Sequence, residues 1–327
     1  MATSIGFIGL GNMGYRMAGN VRTKMDPTST LHILDIDKSI CDRFINEYGS
    51  FGSIKIGNSA KDIAQSSSTI ISMLPMDKHV SSVYLDPVNG IIAAGPDPDR
   101  LALECSTISV PTAQAVGKEI MDAGVAHYVD TPVSGGIMGA GAGTLSFFCG
   151  FPGPADRDDL TQRIKSILDY MGASERINFC GKLGNGLVSK IVNNYIGLSN
   201  LVIASEGLSF GLRHGVDIQT LQQCIKGSSG DSWILNNASP APGAIPKSPA
   251  TNGFRPGFTN ALCIKDLTLG VEAAKEVGIP TKMGELAIAR YKQSQDDPRT
   301  SGLDCSSIWL HINDQVDAFA NSQPNGH

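Results

Sequence analysis

Residues 4–14, Ser4-Ile5-Gly6-Phe7-Ile8-Gly9-Leu10-Gly11-Asn12-Met13-Gly14, read as a short apolar strand running into a glycine-spaced turn, with a helix following over Tyr15–Lys24. In a G-x-G-x-x-G turn the first glycine allows the tight bend, the second lets backbone approach a pyrophosphate, and the third packs helix against strand. The N-terminus of the next helix then offers free N–H groups to phosphate. The same spacing also occurs in glycine turns that hold nothing. Here a second apolar strand, Leu31–Leu34, ends in Asp35, 21 residues after Gly14. A carboxylate at that place accepts hydrogen bonds from the adenosine ribose hydroxyls and repels a 2′-phosphate. Ile36, Asp37 and Lys38 follow with no arginine, which favours NAD over NADP, although Lys38 softens the repulsion.

Strands and helices go on alternating. Thr69–Leu74 is an apolar strand stopped by Pro75, and a helix begins near Asp77. Leu101–Cys105 is another, ending in Ser106-Thr107, with a helix after Pro111. Ligands of open α/β sheets sit beyond such strand ends, although Pro75 also reads as a strand stop and Ser106 and Thr107 as helix caps. Ala126–Val129 leads into Asp130-Thr131-Pro132-Val133-Ser134-Gly135-Gly136, a glycine- and alanine-rich loop through Gly143, and a strand over Thr144–Cys149. Glycines beside a serine let N–H groups and a hydroxyl converge on a carboxylate, and they equally make a flexible loop. A helix over Asp156–Tyr170 and a strand over Arg176–Phe179 close the first domain near Gly181.

Gly184–Arg213 then reads as one long helix, with Leu187, Ile191, Leu198, Leu201, Val202 and Leu208 at helical spacing. It spans roughly 45 Å at ~1.5 Å per residue and is expected to be buried on much of its circumference. Lys190, Asn193 and Asn194 share a surface at i, i+3 and i+4, with Gly186 a turn earlier. A desolvated lysine gives up its proton more easily, which suits acid/base chemistry; a lysine snorkelling from an interdomain helix fits the stretch alone equally well. Beyond it, Asp217–Lys226, Asn260–Val277 and Lys282–Gln293 are helical, with Gly243–Pro256 a connecting loop. Lys265-Asp266 reads by itself as a solvated pair. The expected architecture is α/β: a Rossmann-type doubly wound domain over residues 1–181, a long interdomain helix over 182–213, and an all-α domain over 214–327 with a polar tail.

With 327 residues, 41% hydrophobic and 17% charged, the chain has the composition of a globular protein of two domains. A net charge of −5 without long single-sign blocks gives no reason to expect nucleic acid. The seven cysteines are scattered with no CxxC pair, no metal-ligand spacing is evident, and no apolar run is read as membrane-spanning. No targeting segment is read, so the cytoplasm is the expected compartment.

Together these stretches resemble the β-hydroxyacid dehydrogenase superfamily, and within it the 3-hydroxyisobutyrate dehydrogenase branch. The residues that carry the likeness are Gly6–Gly14, Met73-Leu74-Pro75, Ser106-Thr107-Ile108, Asp130–Gly136, the run Gly186-x-x-x-Lys190-x-x-Asn193-Asn194, and Phe258–Leu267. The resemblance implies NAD-dependent oxidation of a small 3-hydroxy acid, such as 3-hydroxyisobutyrate in valine catabolism. By it, Lys190 is the acid/base group and Asn194 its companion on the substrate. Ser134, Gly135 and Gly136 hold the substrate carboxylate, and Trp233 lies near the pocket together with the Met138–Gly143 loop. Gly9, Leu10, Gly11, Asn12, Met13, Gly14, Asp35, Leu74, Pro75, His79, Thr107 and Lys265 line the cofactor site, and no metal is implied. His79 stands where the family often has asparagine, and Glu104 where it has aspartate. The resemblance also implies a homodimer or homotetramer, and it points to mitochondria as an alternative compartment.

Two rival readings remain at this level. One is a related semialdehyde, glyoxylate-type or serine-like enzyme of the same superfamily. The other is a noncatalytic dinucleotide-binding interaction protein, against which the presence of Lys190, Asn194 and the Ser134–Gly136 segment counts.

Overall fold

The computed structural model describes residues 4–152 and 159–322. The chain divides into two compact units, Met1–Lys190 and Ile191–His327. In the first, β1 (Ile5–Ile8), α1 (Gly14–Lys24), β2 (Leu31–Leu34), α2 (Lys38–Tyr48), β3 (Ile54–Ile56) and α3 (Ala60–Ser66) come in succession. They are followed by β4 (Thr69–Ser72), α4 (Asp77–Leu85), β5 (Leu101–Glu104), α5 (Val110–Asp122) and β6 (His127–Asp130). The strands form a six-stranded parallel sheet in the order β3-β2-β1-β4-β5-β6.

Every residue of β1, β4 and β5 is buried, as a parallel sheet covered on both faces requires. Side chains alternate between the faces. Phe7, Ile71, Leu101 and Leu103 join one apolar cluster with α1 and α2, whereas Ile8, Ile70 and Ala102 join another with α3, α4 and α5. This is the doubly wound arrangement expected, and its strand order reverses between β1 and β4.

A three-stranded sheet follows. β7 (Val133–Ser134) pairs antiparallel with β8 (Leu145–Cys149), which pairs parallel with β9 (Gly172–Phe179). Between β7 and β8 the expected glycine-rich loop is instead a helix, α6 (Gly136–Ala142). Tertiary packing overrides its glycine content: Ala140 is buried in the core, and Asn20 of α1 donates its amide to Ala140 O at 2.7 Å. Gly143 ends the helix in the left-handed conformation. Before β9 comes α7 (Asp159–Leu168); the expected helix start at Asp156 lies outside the described residues.

The long helix is α8 (Asn185–Arg213), 29 residues that cross the division between the units. It is less covered than expected: Val192, Ile196, Ile203 and Phe210 are all more than half exposed. By length and composition it could cross a membrane, contrary to the sequence reading, although core helices of soluble proteins meet the same measure. The second unit continues with α9 (Ile218–Ile225), α10 (Trp233–Asn237), α11 (Asn260–Glu276), α12 (Lys282–Asp296), α13 (Ile308–Ile312) and α14 (Val316–Ser322). Two apolar clusters hold it together, and Tyr291 of α12 donates its hydroxyl to Leu198 O of α8 at 2.8 Å. Among its described residues no sheet forms, and the one bridge is Thr259 with Asp304, in keeping with a helical C-terminal domain.

Candidate active site

The glycine-spaced turn has the sterics that a dinucleotide cradle needs. Gly9 has φ +93°, and a Cβ there would lie 2.4 Å from Met73 O, while one on Gly14 would lie 2.0 Å from Gly9 O. Beyond its own chain neighbours Gly11 has nothing within 4 Å of where its Cβ would be, so the middle of the turn is uncrowded, as close approach of a pyrophosphate requires. Met13 precedes α1 without any side-chain cap, which leaves the helix end to an outside anion. Asp35 braces the turn: Leu10 N donates to its Oδ2 at 2.6 Å, and Asp37 N to its Oδ1 at 2.9 Å. The residues present therefore fit a dinucleotide.

The ends of β4 and β5 are tied together below the next part of the site. Ser72 and Glu104 stand in register, and Ser72 Oγ hydrogen-bonds the Glu104 carboxyl. Tyr84 OH lies 2.7 Å from the same hydroxyl. Ser106 N donates to Glu104 Oε1 at 2.7 Å, and Ser106 Oγ accepts from Leu74 N at 2.7 Å. The Leu74-Pro75 and Ser106-Thr107 segments are thus held at neighbouring strand ends. Burial pushes the Glu104 carboxyl up to about 7; hydrogen bonds from Ser106 and Ser72 oppose that, and Asp130 adds to it.

Neither Ser106 nor Thr107 is the cap of α5. That cap is Ser109, whose hydroxyl donates to Asp77 Oδ2 at 2.6 Å. His79 is half-buried on α4, and its Nδ1 is enclosed with no hydrogen-bond partner.

Ser134 ends β7, and Gly135 and Gly136 follow with φ of +133° and +61° as the chain turns into α6. Lys190 is 7% exposed on α8. These residues belong to the first unit. Asn194 and Lys265 belong to the second, where Asp266 joins them. Asn194 Nδ2 donates to Asp266 Oδ2 at 2.6 Å, and Lys265 Nζ lies 3.0 Å from Asp266 Oδ1. Asp266 is 3% exposed, so the Lys265-Asp266 pair is not the solvated face it resembles in sequence. The signal was the asparagine on a different helix, which no local pattern connects to it. Trp233 begins α10 and is 67% exposed. Among the described residues no group of three or more His, Cys, Asp or Glu could hold a metal.

The fold and the dinucleotide cradle define a nicotinamide-dependent oxidoreductase. Residues 4–184 match the family described as the NAD binding domain of 6-phosphogluconate dehydrogenase. Residues 184–309 match the NAD-binding domain of NADP-dependent 3-hydroxyisobutyrate dehydrogenase. The chain is 37% identical over 309 residues to 3-hydroxyisobutyrate dehydrogenase of Pseudomonas aeruginosa, covering 94% of this chain and 97% of that one. It is 34% identical over 288 residues to the NAD-dependent L-serine dehydrogenase of the same organism, covering 88% and 91%. The solved structure of Mycobacterium tuberculosis 3-hydroxyisobutyrate dehydrogenase with L-serine superposes with a TM-score of 0.82 at 31% identity, covering 95% of this chain and 99% of that one. The chain belongs to the β-hydroxyacid dehydrogenase superfamily, on its 3-hydroxyisobutyrate dehydrogenase-like branch.

Proposed function

We propose that this enzyme oxidises a small 3-hydroxy acid to its semialdehyde, with 3-hydroxyisobutyrate as the preferred substrate and NAD as the preferred cofactor. The observation that carries the reading is Lys190, a buried lysine on α8 of a family dehydrogenase whose glycine turn fits a dinucleotide. The nicotinamide ring, when bound, supplies the hydride acceptor. Gly9–Gly14 and Asp35 hold the adenosine and pyrophosphate side, and Leu74, Pro75, His79, Thr107 and Lys265 line the remainder. Ser134 Oγ and the Gly135 and Gly136 N–H groups hold the substrate carboxylate. Lys190, neutral when oxidation begins, takes the proton from the substrate hydroxyl, and as an ammonium it returns that proton in reduction. Asn194 hydrogen-bonds the substrate, oriented by Asp266.

The second reading is oxidation of L-serine, favoured by the serine dehydrogenase relative and the serine-bound structure. Both substrates share a 3-hydroxypropanoate frame and differ at C2, where one has a methyl group and the other an ammonium. An assay panel of 3-hydroxy acids with NAD and NADP separates them. The expected order is 3-hydroxyisobutyrate above L-serine, with NAD above NADP; activity with NADP alone would remove the Asp35 argument. Lys190→Ala should lower kcat on the order of 10²–10⁴-fold with cofactor binding retained. Near-normal turnover in that variant would sink the acid/base role. The same proposal takes the enzyme to be a homodimer or homotetramer, supported by the exposed apolar positions of α8.

A further inference from the structure

We propose that Asp130 is the positioning residue of Lys190: from the end of β6 its carboxylate caps the first turn of α8 and fixes the turns that carry the lysine. This inference rests on the reading of Lys190 as the acid/base group. The first N–H groups of any helix lack partners inside it, and a serine, threonine, aspartate or asparagine just ahead of the helix normally satisfies one of them. Ahead of α8 stands Gly184, which has no side chain to do so. The missing acceptor comes from 54 residues earlier in the chain: Gly184 N donates to Asp130 Oδ1 at 2.8 Å. Leu187 N donates to the other oxygen, Oδ2, at 2.9 Å. Both carboxylate oxygens are therefore committed to one helix start, and Asp130 itself is wholly buried.

The surroundings are shaped for this contact. A Cβ on Gly150 would lie 1.8 Å from Asp130 Oδ1, and one on Gly186 would lie 2.8 Å from Oδ2 and 2.2 Å from Phe148 O. Two glycines thus clear the space that lets α8 approach β8 and the carboxylate reach the helix. Burial pushes the Asp130 carboxyl up, and the N–H groups of Gly184, Leu187 and Gly186 act against that push.

Helix geometry carries the constraint to Lys190. Gly186 and Lys190 are related by i, i+4 and share one helix face, which at Gly186 is pressed on β8. The Lys190 Cα–Cβ bond also tilts towards the end that Asp130 holds. On the other side, only three residues lie between Asp130 and Ser134, whose strand β7 pairs with β8. One carboxylate thus roots both the segment that presents Ser134 and the helix that presents Lys190.

Asp130→Asn keeps the side-chain volume but replaces one acceptor oxygen by an NH2 that faces an N–H donor. Gly150→Ala keeps the carboxylate and displaces it by the added methyl, so it reports even if the asparagine variant does not fold. For each variant that shows a cooperative thermal melt, four quantities are measured: NAD affinity, hydrogen exchange of the amides at 184–190, kcat with KM, and the solvent deuterium isotope effect on kcat. Displacement of a catalytic group by about 1 Å costs on the order of 10²-fold. The expected result is a kcat lowered by about 10- to 100-fold, with NAD affinity within about twofold, faster exchange at 184–190, and a larger solvent isotope effect as proton transfer becomes slower. A folded Asp130→Asn with wild-type kcat and isotope effect, in an enzyme that Lys190→Ala inactivates, overturns the inference while leaving the proposed function standing. Wild-type amide exchange at 184–190 in that variant overturns it as well. If Lys190→Ala retains turnover, the acid/base reading fails first and this inference falls with it.

Discussion

Glu104 and Asp130 stand in register at the ends of adjacent strands, and each carboxyl ties down a different segment: Glu104 bonds Ser72 and Ser106, and Asp130 bonds Gly184 and Leu187. Glu104 titrates in a range that reports on its burial. Its carboxyl rises from the ordinary 4.5 to about 7, so between those values the folded protein keeps a proton that the unfolded chain has released. Stability should therefore fall as pH rises from about 4.5 to 7 and flatten above 7, by on the order of 3 kcal/mol in total. Its neighbours Tyr84 and Tyr128 are pushed well above their ordinary range and Cys105 to about 12, which leaves Asp130 as the nearby group on the acid side. In Glu104→Gln the part of the dependence that Glu104 supplies should vanish, with the variant gaining on the wild type between pH 5 and 7. Urea melts at several pH values measure this, and a constant difference between the two proteins would show that Glu104 does not titrate there. Sequence alone marks Glu104 only as a departure from the usual aspartate, because its partner Ser72 stands 32 residues earlier in the chain and is itself held by Tyr84.

At the scale of elements, legibility followed how local the determining interactions are. The strand, glycine turn and helix of residues 5–24 and the strand Leu31–Leu34 are legible because apolar runs and turn residues are set by neighbours in sequence. The segment α6 is not: with glycine at 136, 139 and 141 it reads as a loop, and only its packing on α1 makes it a helix. Strand β3 escapes because it has three residues, is mostly exposed and carries Lys55 at its centre. The approach of α8 to β8 is equally silent in sequence, yet Gly186 makes it measurable. In Gly186→Ala the new methyl would meet Phe148 O at 2.2 Å, and backbone cannot yield as a flexible side chain can. The expected loss is about 1–3 kcal/mol of unfolding free energy, read from denaturant melts. An alanine variant as stable as the wild type would mean that helix and strand are not pressed together.

At the scale of the whole molecule, the long helix leaves an apolar stripe that neither unit's core accounts for. Val192, Ile196, Ile203 and Phe210 follow one another by 4, 7 and 7 residues, which keeps them on one face of α8, and each is more than half exposed. Single exposed apolar side chains are ordinary, but a line of four on one helix face is the pattern of a surface that is covered in use. The same length and apolarity would suit a bilayer. Glu206, on the same helix and half exposed through its ion pair with Arg290 at 3.2 Å, suits a protein surface better than hydrocarbon, where a charged side chain is costly. A second copy of the chain is the expected cover. Sedimentation of the wild type should give a dimer or tetramer at micromolar concentration without detergent, and Ile196→Glu with Phe210→Ser should shift it towards monomer while the thermal melt stays cooperative. A wild type that sediments as monomer, or that partitions into lipid vesicles instead of associating with itself, would assign the stripe to something other than self-association.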